Sequence, residues 1–225
     1  MKLRPRLAMT ADLIPPGVAV ADIGSDHAFL PVYLVQAGVC PRAIAADIGE
    51  GPLRNAAETV ARAGLQDKIE LRLSDGFSRF AMDDAGVWVM AGMGGTLMAR
   101  LLDAAQWLCQ PGVTIVAQPM RHAHDLRGWL VTHGFRIERE AACRDAGRVY
   151  IALRAAYEGK NCIYSPGYAY YGEIIQNGDA CAREYLSREL RLLRVRMEAL
   201  RRSGQHPGEL KQLEEIDDDF CSRYL

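Results

Sequence analysis

The chain has 225 residues, 49% hydrophobic and 24% charged, with a formal net charge of −1. That is the balance of a soluble globular protein, long enough for one α/β domain and a smaller appendage, and its total charge announces no nucleic-acid partner. No apolar run reaches membrane-spanning length, Met1–Arg6 lacks a signal-peptide core, and six scattered cysteines (Cys40, Cys109, Cys143, Cys162, Cys181, Cys221) without a Cys-x-x-Cys pair argue against a disulfide or zinc framework, so a cytoplasmic setting is expected.

Apolar runs predict strands at Val18–Ile23, Ala43–Asp47, Ile69–Leu73, Val87–Ala91, Val113–Ala117, Gly134–Glu138 and Arg148–Leu153. Amphipathic stretches at Pro31–Ala37, Pro52–Gly64, Thr96–Leu108 and Ala123–His133 alternate with them, which predicts a mostly parallel sheet covered on both faces. The last two strands are joined only by Arg144-Asp145-Ala146-Gly147 and should form an antiparallel hairpin. A parallel sheet ending in such a hairpin is the plan of Rossmann-like class I methyltransferases, a fold-level analogy. The segments Ala156–Asn161 and Ser165–Gly167 read as an irregular linker. Beyond it, Leu186, Leu190, Leu193, Met197 and Leu200 have coiled-coil spacing, Ser203–Gly208 is a stop and turn, and Leu210, Leu213, Ile216 and Phe220 can line a returning helix. The expected division is residues 1–157 and 158–225.

The first strand runs into Asp22-Ile23-Gly24-Ser25-Asp26-His27, a strand–loop–helix junction of the kind at which open α/β sheets bind nucleotide-like cofactors. Asp47 closes the second strand, 23 residues after Gly24, where a carboxylate can grip ribose hydroxyls. A pyrophosphate-binding loop would carry Gly-x-Gly-x-x-Gly, whereas here one glycine stands between two acids. Those acids suit a cofactor with positive charge, such as the amino group and sulfonium of S-adenosylmethionine; a tight turn with solvated acids is the bland alternative. Further along, Ser74-Asp75-Gly76 offers an acceptor for an adenine amino group, or a turn aspartate. Ala91-Gly92-Met93-Gly94-Gly95-Thr96 allows close backbone approach, either to a ligand or for packing, and Met93 can lie on a flat ring. Gln118 can donate to and accept from a base edge. His122 and His124 are a weak metal signal and read by default as polar residues at a helix start, so no metal is expected. His27 can orient an acceptor or cap the next helix.

Between Arg183 and Arg202 lie seven arginines and three glutamates. This is either a phosphate-binding surface or a salt-bridged, solvated helix face.

In combination these stretches, with Asp47-Ile48-Gly49-Glu50-Gly51-Pro52, Gln118-Pro119 and the C-terminal hairpin after Tyr170-Tyr171-Gly172, resemble the bacterial tRNA adenine N1-methyltransferase family called TrmK over almost the whole chain. The resemblance implies methyl transfer from S-adenosylmethionine to N1 of an adenosine at tRNA position 22, by a Rossmann-like domain with a C-terminal coiled coil that helps hold tRNA. It implies that Asp22, Gly24, Ser25 and Asp26 surround the methionine part of the cofactor. Asp47 and Ile48 then take the ribose, Asp75 and Gly76 the adenine end, and Ala91, Gly92, Met93 and Gly94 border cofactor and target base. His27 and Gln118 face the acceptor, with Asp26, His27 and Gln118 as catalytic candidates, and Arg188, Arg191, Arg194 and Arg201 meet tRNA phosphates. A monomer, or a weak dimer through the C-terminal helices, is expected. One departure is Met120, where the family pattern has asparagine. Two alternatives stand beside this reading: a methyltransferase for another substrate, and a non-catalytic RNA-binding module with a degraded pocket.

Overall fold

The computed structural model describes residues 1–160 and 164–224, so Asn161 and Cys162 of the expected linker and cysteine set lie outside the described residues. Seven strands form one sheet: β1 (Val20–Ile23), β2 (Ala43–Asp47), β3 (Ile69–Leu73), β4 (Val87–Ala91), β5 (Thr114–Gln118), β6 (Phe135–Asp145) and β7 (Arg148–Tyr157). Their spatial order is β3-β2-β1-β4-β5-β7-β6. The first five are parallel, β7 runs antiparallel to β5, and β6 pairs antiparallel with β7. The chain builds outward from β1 to β3 and then restarts at β4 on the other side of β1. The carboxyl ends of β1 and β4 therefore flank the switch point, where open α/β sheets form a crevice.

Period-two alternation assigns the two faces. Ala21, Ile23, Trp88, Met90, Ile115 and Ala117 point to one side, where α4 (Gly95–Asp103) and α5 (Ala123–Thr132) cover them. Val20, Ala43, Ala45, Val87, Val89 and Val116 point to the other, under α1 (Pro5–Ala11), α2 (Phe29–Gln36) and α3 (Glu50–Ala63). Asp22 and Gln118 share the parity of Val20 and Val116, so both sit on the α1 side.

The first four helices expected from sequence are present with shifted ends. α2 begins at Phe29, and α4 stops at Asp103, with a separate 3₁₀ turn at Gln106–Leu108. Two larger differences have physical causes. β6 runs to Asp145 because its pairing with β7 continues to Arg148, and a bulge between Ile137 and Arg139 flips its phase and turns Glu140, rather than an apolar residue, into the core. α1 is only seven residues long, with Pro5 at its first position, too short for a periodicity signal.

A four-residue helix α6 (Tyr168–Tyr171) leads into α7 (Ala180–Ser203) and α8 (Pro207–Tyr224). Asp179 caps α7 by accepting from the Ala182 amide at 2.9 Å, and Gly204 ends it in the left-handed region at φ 66°. The inner face of α7 (Leu186, Leu190, Leu193, Met197) meets Leu213 and Phe220 of α8 and joins one apolar cluster with Leu126, Leu130, Phe135 and Ile137 of the sheet and α5. The leucine seam is thus filled within one chain. A fully buried ion pair ties the two regions. Arg127 donates from Nε to Glu140 Oε1 at 2.7 Å and from Nη1 to the carbonyls of Ala169 and Tyr170, while Glu140 Oε2 accepts from the Ile174 amide at 2.8 Å.

Candidate active site

The loop after β1 is hooked to β2: the amides of Gly24 and Ser25 both donate to the Ala46 carbonyl at 2.8 Å. Gly24 has φ 79°, and a Cβ there would lie 2.8 Å from Cε of Met93, so bare backbone and the Met93 thioether meet at the switch point. A cleft of about 610 Å³ opens beside them, lined by Asp22, Gly24, Asp26, His27, Ala91 and Gly92 on the strand side. That is the size range of small-molecule sites.

Asp22 is buried at the base of this cleft. Burial pushes its carboxyl from the ordinary 3.8 up to about 6; the Ser25 side chain works against this, and the charge of Asp47 adds to it. Ser25 Oγ is buried beside Asp22, close enough to stabilise the carboxylate but without a hydrogen bond of good geometry among the described residues. A buried acid next to a poorly satisfied hydroxyl suits a polar, positively charged guest. Asp26 is exposed, with Oδ2 3.3 Å from His27 Nε2, and the His27 ring stacks on Phe29 at 5.0 Å. Capping by His27 is not what the structure shows: the cap position of α2 is Ala28, at φ 52°, with no side-chain bond.

The remaining acids lie along the same sheet edge. Asp47 is half-buried, and its Oδ1 accepts from the Gly49 amide at 2.9 Å; Ile48 beside it is 68% exposed. Asp75 is exposed, while Gly76 is buried, and a Cβ on Gly76 would lie 2.6 Å from Leu101 Cδ2. At the end of β4, the glycines divide their roles. Gly92 lies open toward Arg6, Gly94 toward Arg121, and Gly95 is packed so tightly on the His122 carbonyl that a Cβ would overlap it. Packing accounts for Gly95 and close approach for Gly92.

Gln118 is fully buried. Its Nε2 donates to the Pro119 carbonyl at 3.1 Å and its Oε1 accepts from Arg6 Nη1 at 3.4 Å. Met120 is partly exposed, its sulfur 3.5 Å from Arg6 Nη1 and its amide bonded to the Met93 carbonyl. The other wall of the cleft is the amino-terminal segment, with Lys2, Arg4 and Arg6. Sequence reasoning missed this wall. Its only signal is three cations in five residues around Pro5.

His122, His124 and Asp125 bring ligand atoms within 4.8 Å of one another. However, His124 stacks on Tyr170 at 4.6 Å, Asp125 accepts from the Thr96 hydroxyl, and the cluster sits at the start of α5, whose positive dipole end disfavours a cation.

On the hairpin, Arg188 pairs with Glu189 at 3.2 Å, Arg194 with Asp217 at 2.7 Å and Arg201 with Glu214 at 2.9 Å. Arg191 has no ion pair among the described residues. It lines an open hollow of about 680 Å³ with Arg194, Arg202, Val195 and Tyr224.

The methyltransferase-domain family profile matches residues 3–153. A curated relative, the tRNA (adenine(22)-N(1))-methyltransferase of Bacillus subtilis strain 168, is 35% identical over 164 residues, 73% of this chain and 69% of that protein. The solved structure of the B. subtilis m1A22 tRNA methyltransferase TrmK superposes with a TM-score of 0.84 at 29% identity, covering 99% of this chain and 97% of that one. A Streptococcus pneumoniae protein assigned as a tRNA (m1A22) methyltransferase, solved in complex with S-adenosyl-L-methionine, gives 0.80 at 30% identity over 96% of this chain and 100% of that one. On the domain match and the relative together, the chain belongs to the methyltransferase-domain family and, within it, to the tRNA (adenine(22)-N(1))-methyltransferases.

Proposed function

We propose that this protein transfers a methyl group from S-adenosylmethionine to N1 of adenosine 22 in tRNA. The observation that carries the reading is the cleft at the switch point, built on Asp22 and the single-glycine loop, in a chain whose relatives of that activity match it from end to end. When bound, S-adenosylmethionine supplies a methyl group on a sulfonium.

The chain's own residues then have four tasks. Asp22, Ser25 and Asp26 favour the positively charged amino-acid end, and Gly24 lets the backbone approach it. Asp47, with one carboxylate oxygen free of the Gly49 amide, accepts from ribose hydroxyls, and Ile48, Asp75 and Gly76 border the adenine. Met93 and Gly94 bound the space shared by cofactor and target base. Asp26, beside His27 at the exposed mouth, offsets the positive charge that appears on the purine. Adenine N1 carries an in-plane lone pair and needs no deprotonation, so positioning and electrostatics do most of the work. Gln118 serves by fixing Arg6 rather than by touching the base, since it is fully buried and its Oε1 accepts from the Arg6 guanidinium.

N1 lies on the Watson–Crick edge, so the adenine must be unpaired or extruded. We assign residues 1–157 to this chemistry and 158–225 to tRNA, whose phosphates meet Arg191 directly and Arg188, Arg194 and Arg201 by exchange with their carboxylate partners. A tRNA substrate supports a cytoplasmic setting. The test is to incubate the protein with tRNA and methyl-labelled cofactor and map the modified nucleoside. Label as 1-methyladenosine at position 22 is expected; label elsewhere, or equal labelling of free adenosine, overturns the reading.

A further inference from the structure

An adenine that leaves its stack to be methylated arrives tethered, with a phosphate on each side of its ribose. The space that Met93 and Gly94 border therefore calls for a nearby cation that is rigidly placed and not already neutralised. The loop after β5 supplies one. It is laced to the loop after β4 by three backbone hydrogen bonds: the Gly92 amide donates to the Gln118 carbonyl at 3.1 Å, the Met120 amide to the Met93 carbonyl at 2.9 Å and the Gly95 amide to the Arg121 carbonyl at 2.8 Å. These hold the two loops together past the strand ends, so the backbone of Arg121 is fixed relative to Gly94.

Arg121 is exposed, and its stem runs over Gly94: a Cβ built on that glycine would lie 3.9 Å from both Cγ and Nε, ordinary contact distance. At the far end, the guanidinium has no hydrogen bond or ion pair among the described residues. The arginines around it are engaged. Arg6 lies between Gln118 Oε1 at 3.4 Å and Asp145 Oδ2 at 3.6 Å, and Arg188 pairs with Glu189 and donates to the Val149 carbonyl at 3.0 Å. The turn that presents Arg121 is strained, since His122 sits in the left-handed region at φ 55° with its carbonyl packed against Gly95. Such a conformation persists where the surroundings over-determine it, and here it fixes an unpaired guanidinium at the rim of the target-base space. Arg121 also lines, with Tyr185 and Arg188, the crease where this loop meets α7, and so stands between the pocket and the hairpin's arginines. A planar fork with its donors free suits a phosphate.

Resting on the methyl-transfer reading above, we propose that Arg121 binds a phosphate adjoining the target adenosine, which makes it a specificity-determining residue for adenosine carried on an RNA backbone over the free nucleoside. The hairpin arginines hold the body of the RNA, and Arg121 holds the reacting nucleotide.

The test is a kinetic cycle. The ratio kcat/KM is measured for wild type and Arg121→Gln on tRNA with its native backbone, and on tRNA in which the phosphate 5′ or 3′ of adenosine 22 is a neutral methylphosphonate. Neutralising one of the two should cost the wild type about ten- to a hundredfold, the worth of a charge-assisted hydrogen bond, and Arg121→Gln should lose a similar factor on native tRNA. On the tRNA with that phosphate neutralised, variant and wild type should agree within about threefold, because the pair is already broken. Losses that multiply overturn the inference. So does a wild type indifferent to both neutral linkages, a result that needs no variant to fold. Calorimetry should give Arg121→Gln the wild-type affinity for S-adenosylmethionine, and a variant that loses cofactor binding overturns a role confined to the RNA. A wild type that leaves native tRNA unmethylated overturns the methyl-transfer reading itself and is distinguished before any variant is made.

Discussion

Replacing Asp22 with asparagine separates what this carboxylate does for binding from what it costs the fold. Raising its carboxyl from 3.8 to about 6 on folding corresponds to at most ~3 kcal/mol of lost stability at neutral pH. The sign follows from proton counting. Between pH 4 and 6 the folded protein holds the Asp22 proton more tightly than the unfolded chain does, so this residue's contribution to stability falls as pH rises through that window and is constant above it. Asp22→Asn has no proton to lose. Thermal melts of wild type and variant should therefore agree near pH 4 and diverge by pH 8, the variant melting higher by up to about 6–12 °C for a chain of this size. Calorimetry at pH 8 should show the opposite ranking for S-adenosylmethionine, the variant binding at least tenfold more weakly. Wild-type affinity should itself decline as pH falls through 6. A melting difference that is the same at pH 4 and pH 8, or a variant less stable at pH 8, refutes the claim that Asp22 is held ionised against its burial.

Three further outcomes are expected. Glu140→Gln leaves the Arg127 guanidinium buried without a counter-charge and should cost about 3–5 kcal/mol, read as a lowered urea midpoint with the sheet and the C-terminal helices unfolding together. Gly24→Ala should cost about 1–3 kcal/mol and weaken cofactor binding because of its φ of 79°; adding Met93→Ala relieves the 2.8 Å contact but leaves the backbone cost, so full rescue by the double variant counts against the conformational argument. Arg191→Gln should reduce the slope of log affinity for tRNA against log salt by about one, and an unchanged slope removes Arg191 from the phosphate contacts.

What could be read from residues alone followed the strength of the local signal. The bounds of β2, β3 and β4 were legible to the residue, because strands of a covered parallel sheet are short apolar runs bounded by polar turns. β6 was not, since its bulge replaces the expected apolar position with Glu140, and a glutamate in a charged stretch reads as solvated. For the same reason the Arg127–Glu140 pair is invisible in one dimension. The sheet-edge acids were identifiable by their spacing, yet that Asp22 is buried is set by the fold and not by the spacing. The arginine run kept two readings open; Arg194 and Arg201 are paired across the hairpin, whereas Arg191 has no ion pair among the described residues. Arg6 escaped notice because its partners, Gln118 and Asp145, are more than a hundred residues away in the chain.

The apolar cluster that continues from α5 and β6 into α7 and α8 bears on how this enzyme can be taken apart. A fragment ending at Tyr157 would strip the cover from Leu126, Leu130 and Ile137 and carry an oily scar that invites self-association, while the excised helices would lose the platform beneath their inner face. On the function proposed above, chemistry and RNA capture fall to different stretches of the chain that share one apolar core.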